Sequence, residues 1–304
     1  MRRVAAIVAA MGLLVGMGLP AAAQQTGAQQ TGAGSEGLFD SGKLLATAGV
    51  SEIEGAGGGG LTPWALITGY ETRDGIGANT HYTFVNTPSF TLQSTGAAIG
   101  LYDRVELSYA REMFDTRSTG AKLGLGNGYT FNEDVLGAKV RVAGDAVYDQ
   151  DSWMPQIALG TQFKRNDSPS VLQAIGARSA EGVDFYAAAT KLFLAESLLV
   201  NATVRATKAN QLGILGFGGD RSDSYHAEFE GSAAFLLSRN VAIGAEYRQQ
   251  PNNMSFATED RWIDAFIAYF PTRNLSLTLA AVDLGSVAGQ SGQRGVYLSA
   301  QIGF

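Results

Sequence analysis

Hydrophobic and polar residues alternate along most of this chain. The end shows it most plainly: Val296, Leu298, Ala300, Ile302 and Phe304 fall on one face, and Tyr297, Ser299, Gln301 and Gly303 on the other. A period of two is the signature of a β-strand with unlike faces. The same pattern sets Leu136, Ala138, Val140 and Val142 against Lys139, Arg141 and Asp145, and Val200, Ala202 and Val204 against Asn201, Thr203 and Arg205. Read this way, the chain holds twelve strands, near 63–72, 90–101, 105–114, 135–147, 153–164, 184–193, 198–208, 225–236, 241–250, 261–270, 275–284 and 295–304. The first, second and sixth alternate poorly, and a bulge or slip is expected there.

The connections sort into two kinds. Short ones, at 102–104, 148–152, 194–197, 237–240 and 271–274, alternate with longer ones, at 73–89, 115–134, 165–183, 209–224, 251–260 and 285–294. Transmembrane β-barrels have short turns on the periplasmic side and longer loops outside, and an even number of strands. The predicted fold is therefore all-β, an antiparallel up-and-down transmembrane β-barrel with both termini periplasmic. The last strand closes it against the strand starting near Pro63. Such a sheet has no open edge, which is what lipid demands of a backbone.

The N-terminus agrees with export. Arg2 and Arg3 precede an apolar stretch from Val4 to Leu19, and Ala21-Ala22-Ala23 offers a cleavage site. Residues 1–23 read as a signal peptide, and Gln24 to Gly37, poor in large apolar residues, as a disordered linker. Residues 38–62 form an N-terminal extension or a lumen plug, and 63–304 the barrel. The run Gly55-Ala56-Gly57-Gly58-Gly59-Gly60 lacks the Lys-Ser/Thr of a phosphate loop and reads as a hinge or turn. There is no cysteine, so disulfides and thiol chemistry are excluded. The formal charge of −6 becomes −8 without Arg2 and Arg3, which argues against nucleic acid as a partner.

Candidate chemistry lies on the inward faces. The predicted lumen-facing charges are Glu106, Glu112, Lys139, Arg141, Asp145, Lys164, Arg205, Glu228, Glu230, Glu246, Arg248 and Asp264. They either set the selectivity of a narrow, water-filled path or fill the lumen as ion pairs. Three functions follow: a narrow passive pore or uptake channel for small solutes; a plugged structural or interaction barrel presenting loops 73–89 and 115–134; and, ranked last, a surface lipid hydrolase using His81 or His226, both assigned to the external side. No nucleophile motif surrounds either histidine. No catalytic residue, metal site or cofactor is assigned. The expected partners are outer-membrane lipids and lipopolysaccharide, the barrel assembly machinery and a small solute.

Two resemblances add to this. A last strand ending on an aromatic, here with Tyr297, Ile302 and Phe304, resembles the C-terminal signal that outer-membrane barrels present to their assembly machinery. The stretches Gly37-Leu38-Phe39-Asp40-Ser41-Gly42-Lys43-Leu44-Leu45, Gly49-Val50-Ser51-Glu52-Ile53-Glu54-Gly55 and Gly59-Gly60-Leu61-Thr62-Pro63-Trp64-Ala65-Leu66-Ile67 are similar to an uncharacterised family of Gram-negative proteins, a domain of unknown function. That resemblance implies an outer-membrane barrel and supplies no functional residues.

Overall fold

The computed structural model describes residue 43 and residues 48–304 apart from 72 and 123. The predicted signal peptide and linker lie outside the described residues. Twelve antiparallel strands close into one barrel. In chain order, after two short inner strands, they are β3 (Ile76–Asn86), β4 (Thr91–Leu101), β5 (Val105–Asp115), β6 (Thr130–Ala143), β7 (Gln156–Asn166), β8 (Glu181–Phe193), β9 (Leu198–Thr207), β10 (His226–Ser238), β11 (Val241–Arg248), β12 (Trp262–Thr272), β13 (Leu275–Asp283) and β14 (Arg294–Gly303). The sheet closes where β14 pairs with β3, from Val296 opposite Asn86 to Gly303 opposite Asn79. Phe304 extends the seam, exchanging backbone hydrogen bonds with Ala78 at 2.9 and 3.0 Å.

The alternation sets the two faces. Leu107, Leu136, Val140, Leu159, Phe163, Val204, Ile267, Leu298 and Ile302 are exposed on the outside, while their polar neighbours in sequence point in. A bare apolar exterior around a polar interior suits lipid outside and water inside.

Three expectations need correction. Residues 63–72 are not the first barrel strand; that strand is Ile76–Asn86, and 63–71 lie in the interior. Pro63-Trp64-Ala65-Leu66-Ile67 is apolar without alternation because it is buried on every side. The long loop expected at 73–89 is replaced by the turn Thr87–Phe90, closed by Thr87 N–H to Phe90 carbonyl at 3.0 Å. The short turn expected at 148–152 is a longer loop, 144–155, begun by Gly144 at φ +70°. Bulges also fall elsewhere than expected. They sit at Arg141/Ala143, Leu236/Ser238 and Tyr269/Thr272, whereas β4 and β8 keep register throughout. Those two strands alternate poorly because Ala97-Ala98 and Ala187-Ala188-Ala189 are small enough for either face.

Every residue from 48 to 71 is buried. The segment begins with a small hairpin, β1 (Val50–Ser51) against β2 (Gly57–Gly58). Its side chains and backbone reach inward-facing residues of β5, β6, β8, β9, β10 and β11, which only a path through the lumen allows. It then returns to the end of the barrel that holds Phe304, where Tyr70 N–H donates to the Phe304 carbonyl at 3.3 Å.

Candidate functional site: the occupied lumen

Two wall carboxylates hold the inner segment by its backbone. Glu106 accepts from Gly57 N–H at 2.9 Å and from Thr68 N–H at 2.8 Å. Across the lumen, Glu246 accepts from Leu61 N–H at 2.7 Å and from the Thr62 hydroxyl at 2.8 Å. Charge-assisted bonds of this kind are roughly twice as strong as neutral ones. They also account for the glycine run. A Cβ on Gly59 would stand 1.8 Å from Glu246 Oε1, and one on Gly57 2.9 Å from Glu106 Oε2. The glycines give carboxylates room to reach the backbone.

Lys139 completes the Glu106 side. Its Nζ lies 3.0 Å from Glu106 and donates to the carbonyls of Gly57 at 2.8 Å and Trp64 at 3.1 Å. Further along, Thr190 and Gln156 hold Ala65, Thr203 holds the Pro63 carbonyl at 2.9 Å, and Trp64 Nε1 donates to Ser232 at 3.0 Å. A charge cluster surrounds Glu54 of the segment, which pairs with Lys164, with Arg248 at 2.7 Å and with Arg205 at 3.6 Å. Asp184 joins Lys164 at 2.6 Å, and Glu230 joins Arg205 at 2.5 Å.

The other mouth is covered by the loop 208–219. Lys164 donates to the Leu212 carbonyl at 2.7 Å and Asn166 to the Ile214 carbonyl at 2.9 Å. Leu212, Ile214 and Leu215 are buried in an apolar cluster with Val85, Phe114 and Trp262, and Phe217 is buried as well. Gln211, Leu212 and Gly213 all adopt positive φ, an arrangement that only close packing sustains. Among the described residues, small cavities of about 30 Å³ beside Trp64 and about 20 Å³ beside Phe90 have room for a water or two each.

Of the charges named from the sequence, Glu106, Glu112, Lys139, Arg141, Lys164, Arg205, Glu230, Glu246, Arg248 and Asp264 are buried on the inner side of the wall. Arg141 pairs with Asp103 of a turn at 2.6 Å, and Glu228 is half-buried near the loop-covered mouth. Asp145 is the exception. Gly144 ends the strand, so Asp145 caps the turn by accepting from Val147 and Tyr148 N–H at 3.0 and 2.8 Å. Tyr297 is fully buried in the lumen against Gly60, whereas Ile302 and Phe304 are exposed outside. Sequence reasoning missed Glu133 and Asp184. Glu133 sits in β6, which starts five residues earlier than expected, and the alternation Phe131, Glu133, Val135 could have found it. His81 is not in an external loop. It faces inward from β3, with Nε2 3.4 Å from Ser94. His226 begins β10 as expected, 3.0 Å from Ser222 Oγ. Among the described residues no acid bonds its second ring nitrogen, and no group of three acids or histidines could hold a metal ion.

Burial shifts a carboxyl near each mouth of the barrel. Burial raises Glu71, at the root of the inner segment, from 4.5 to about 7, against a smaller opposing effect of Lys43 at 3.6 Å. Burial raises Glu259, in the 249–261 loop, to about 8, partly offset by the Gln211 N–H it accepts at 3.0 Å.

Fold and interior together define a twelve-stranded transmembrane-type barrel whose lumen is occupied by its own chain. The protein belongs to the family described as "Protein of unknown function (DUF3034)", which matches residues 47–301. No curated protein matches it. Among solved structures it is similar to the KdgM porin in complex with disordered oligogalacturonate, at 11% identity and a TM-score of 0.48 over 74% of this chain and 99% of that one. It is also similar to the NanC porin, at 8% identity and a TM-score of 0.46 over 75% and 98%. Outer membrane phospholipase A from Escherichia coli matches at 9% identity and a TM-score of 0.41 over 78% and 94%.

Proposed function

We propose that this protein is a narrow outer-membrane channel for small solutes, held shut at rest by its own segment 48–71. One observation carries the reading: beside the apolar packing of Ile53, Leu61, Trp64 and Leu66, the segment is fastened by its backbone and by Glu54 to charged and polar side chains of the wall. A barrel filled for good gains more from an apolar core, since buried ion pairs replaced by well-packed apolar groups are often neutral or stabilising. A polar wall keeps its affinity for water once the segment leaves. In this reading the chain is exported by its signal peptide and assembled through its C-terminal strand. Both termini are periplasmic, and the longer loops face lipopolysaccharide outside. The protein passes its solute unchanged and is not an enzyme.

Gly59→Val tests this while leaving every wall residue in place. The added side chain collides with Glu246, so the variant should conduct in planar bilayers far more often than the full wild-type chain under the same voltage. Silence in both, with both proteins folded, contradicts the channel and leaves a filled platform.

A further inference from the structure

The inward charges of the wall do not balance. Glu106, Glu112, Glu133, Asp184, Glu228, Glu230, Glu246 and Asp264 face the lumen from the strands, against Lys139, Arg141, Lys164, Arg205 and Arg248. Eight carboxylates meet five cations, a surplus of three. Arg141 is moreover taken up by Asp103, in a turn at the mouth.

The surplus is arranged as pairs. Glu112 of β5 stands directly opposite Glu133 of β6, and Glu246 of β11 directly opposite Asp264 of β12. Like charges opposite one another on one face of a sheet repel. In the closed ring of twelve, the β5–β6 and β11–β12 seams lie on opposite sides, six strands apart. The two pairs therefore face one lumen from opposite walls. Glu112 and Glu133 are 0% and 1% exposed, and all four of their carboxyl oxygens lack a hydrogen-bond partner. The other pair is differently placed, because the inner segment occupies it: Leu61 N–H and the Thr62 hydroxyl sit on Glu246. The same holds at Glu106, where Gly57 and Thr68 N–H are the donors. At both positions the segment supplies positive dipole ends where a cation would bind.

We infer that the solutes this channel passes are small cations, and that the segment closes it by offering backbone donors to the carboxylates that a passing cation would use. The inference rests on the channel reading and names its substrate class. Among the described residues no group of three acids or histidines could hold a metal ion, so the wall suits transit and not tight capture; a row of acidic side chains is a familiar source of cation selectivity.

The test is a reversal-potential measurement under a potassium chloride gradient, on the full chain and on Gly59→Val. Potassium should permeate several-fold more readily than chloride. Glu112→Gln with Glu133→Gln in the Gly59→Val background should bring that ratio down towards one, and heat-modifiable migration in gels checks that each variant is folded. A conducting channel that prefers chloride, or has no preference, overturns the cation inference and leaves the channel intact. A ratio that the double substitution does not move overturns the role of this pair. No current from any folded variant overturns the channel and the inference with it.

Discussion

At the residue scale, the lumen works through a few side chains that each serve several partners. Lys139 neutralises Glu106 and caps two carbonyls of the inner segment. Lys139→Met leaves a buried carboxylate without its cation, and losing one partner of a buried pair costs about 3–5 kcal/mol. The expected outcome is an earlier release of the segment in denaturant, followed by protease access to residues 48–71. Glu106→Gln added to Lys139→Met should recover much of the loss, because it removes the stranded charge; no recovery contradicts the pairing. These residues were legible because inward and outward positions alternate strictly around them. Gly59 was legible only as a breaker, since nothing local tells a hinge from a backbone pressed onto a carboxylate 185 residues later in the sequence, the separation of the Leu61–Glu246 bond. Glu133 was missed because its neighbours Asn132 and Asp134 made the start of β6 look like a loop.

At the scale of elements, two pieces close the two mouths: the segment 48–71 and the loop 208–219. Each is anchored near a carboxyl that burial holds partly neutral. Glu71 faces Lys43 and Asp103 with Gly69, Gly77 and Gly100 packed on it, and Glu259 faces Gln211, Asn252 and the more distant charge of Glu228. A carboxyl whose value rises on docking takes up a proton as it docks. That contribution is complete below the ordinary value of 4.5 and is lost as pH climbs through about 7 for Glu71 and about 8 for Glu259. Open probability should therefore rise between pH 4.5 and 8, with Glu71→Gln flattening the lower part of the curve and Glu259→Gln the upper. A flat or falling profile contradicts this assignment. The loop 208–219 gave little sequence signal, because its closing residues Leu212, Ile214 and Leu215 have no period and are buried by tertiary packing alone. The inner segment misled for the same reason: an apolar run buried on every side looks like a strand of a buried sheet.

At the scale of the whole molecule, the strand count and closure came through although the first strand was misplaced, because alternation from β5 onward fixes the wall independently of where the ring starts. What one-dimensional pattern could not supply was the content of the ring, since lumen contacts join residues far apart in sequence. The central claim is that segment 48–71 is a movable closure. Thr62 Oγ1 and Ser232 Oγ are 2.5 Å apart across the boundary between segment and wall, and the chain has no cysteine of its own. Thr62→Cys with Ser232→Cys thus places a single disulfide between the two. Single-channel recording of this variant in planar bilayers, before and after reduction, tests the claim most directly. No openings are expected while the disulfide is intact and frequent openings once it is reduced; equal current in both states would contradict a movable closure.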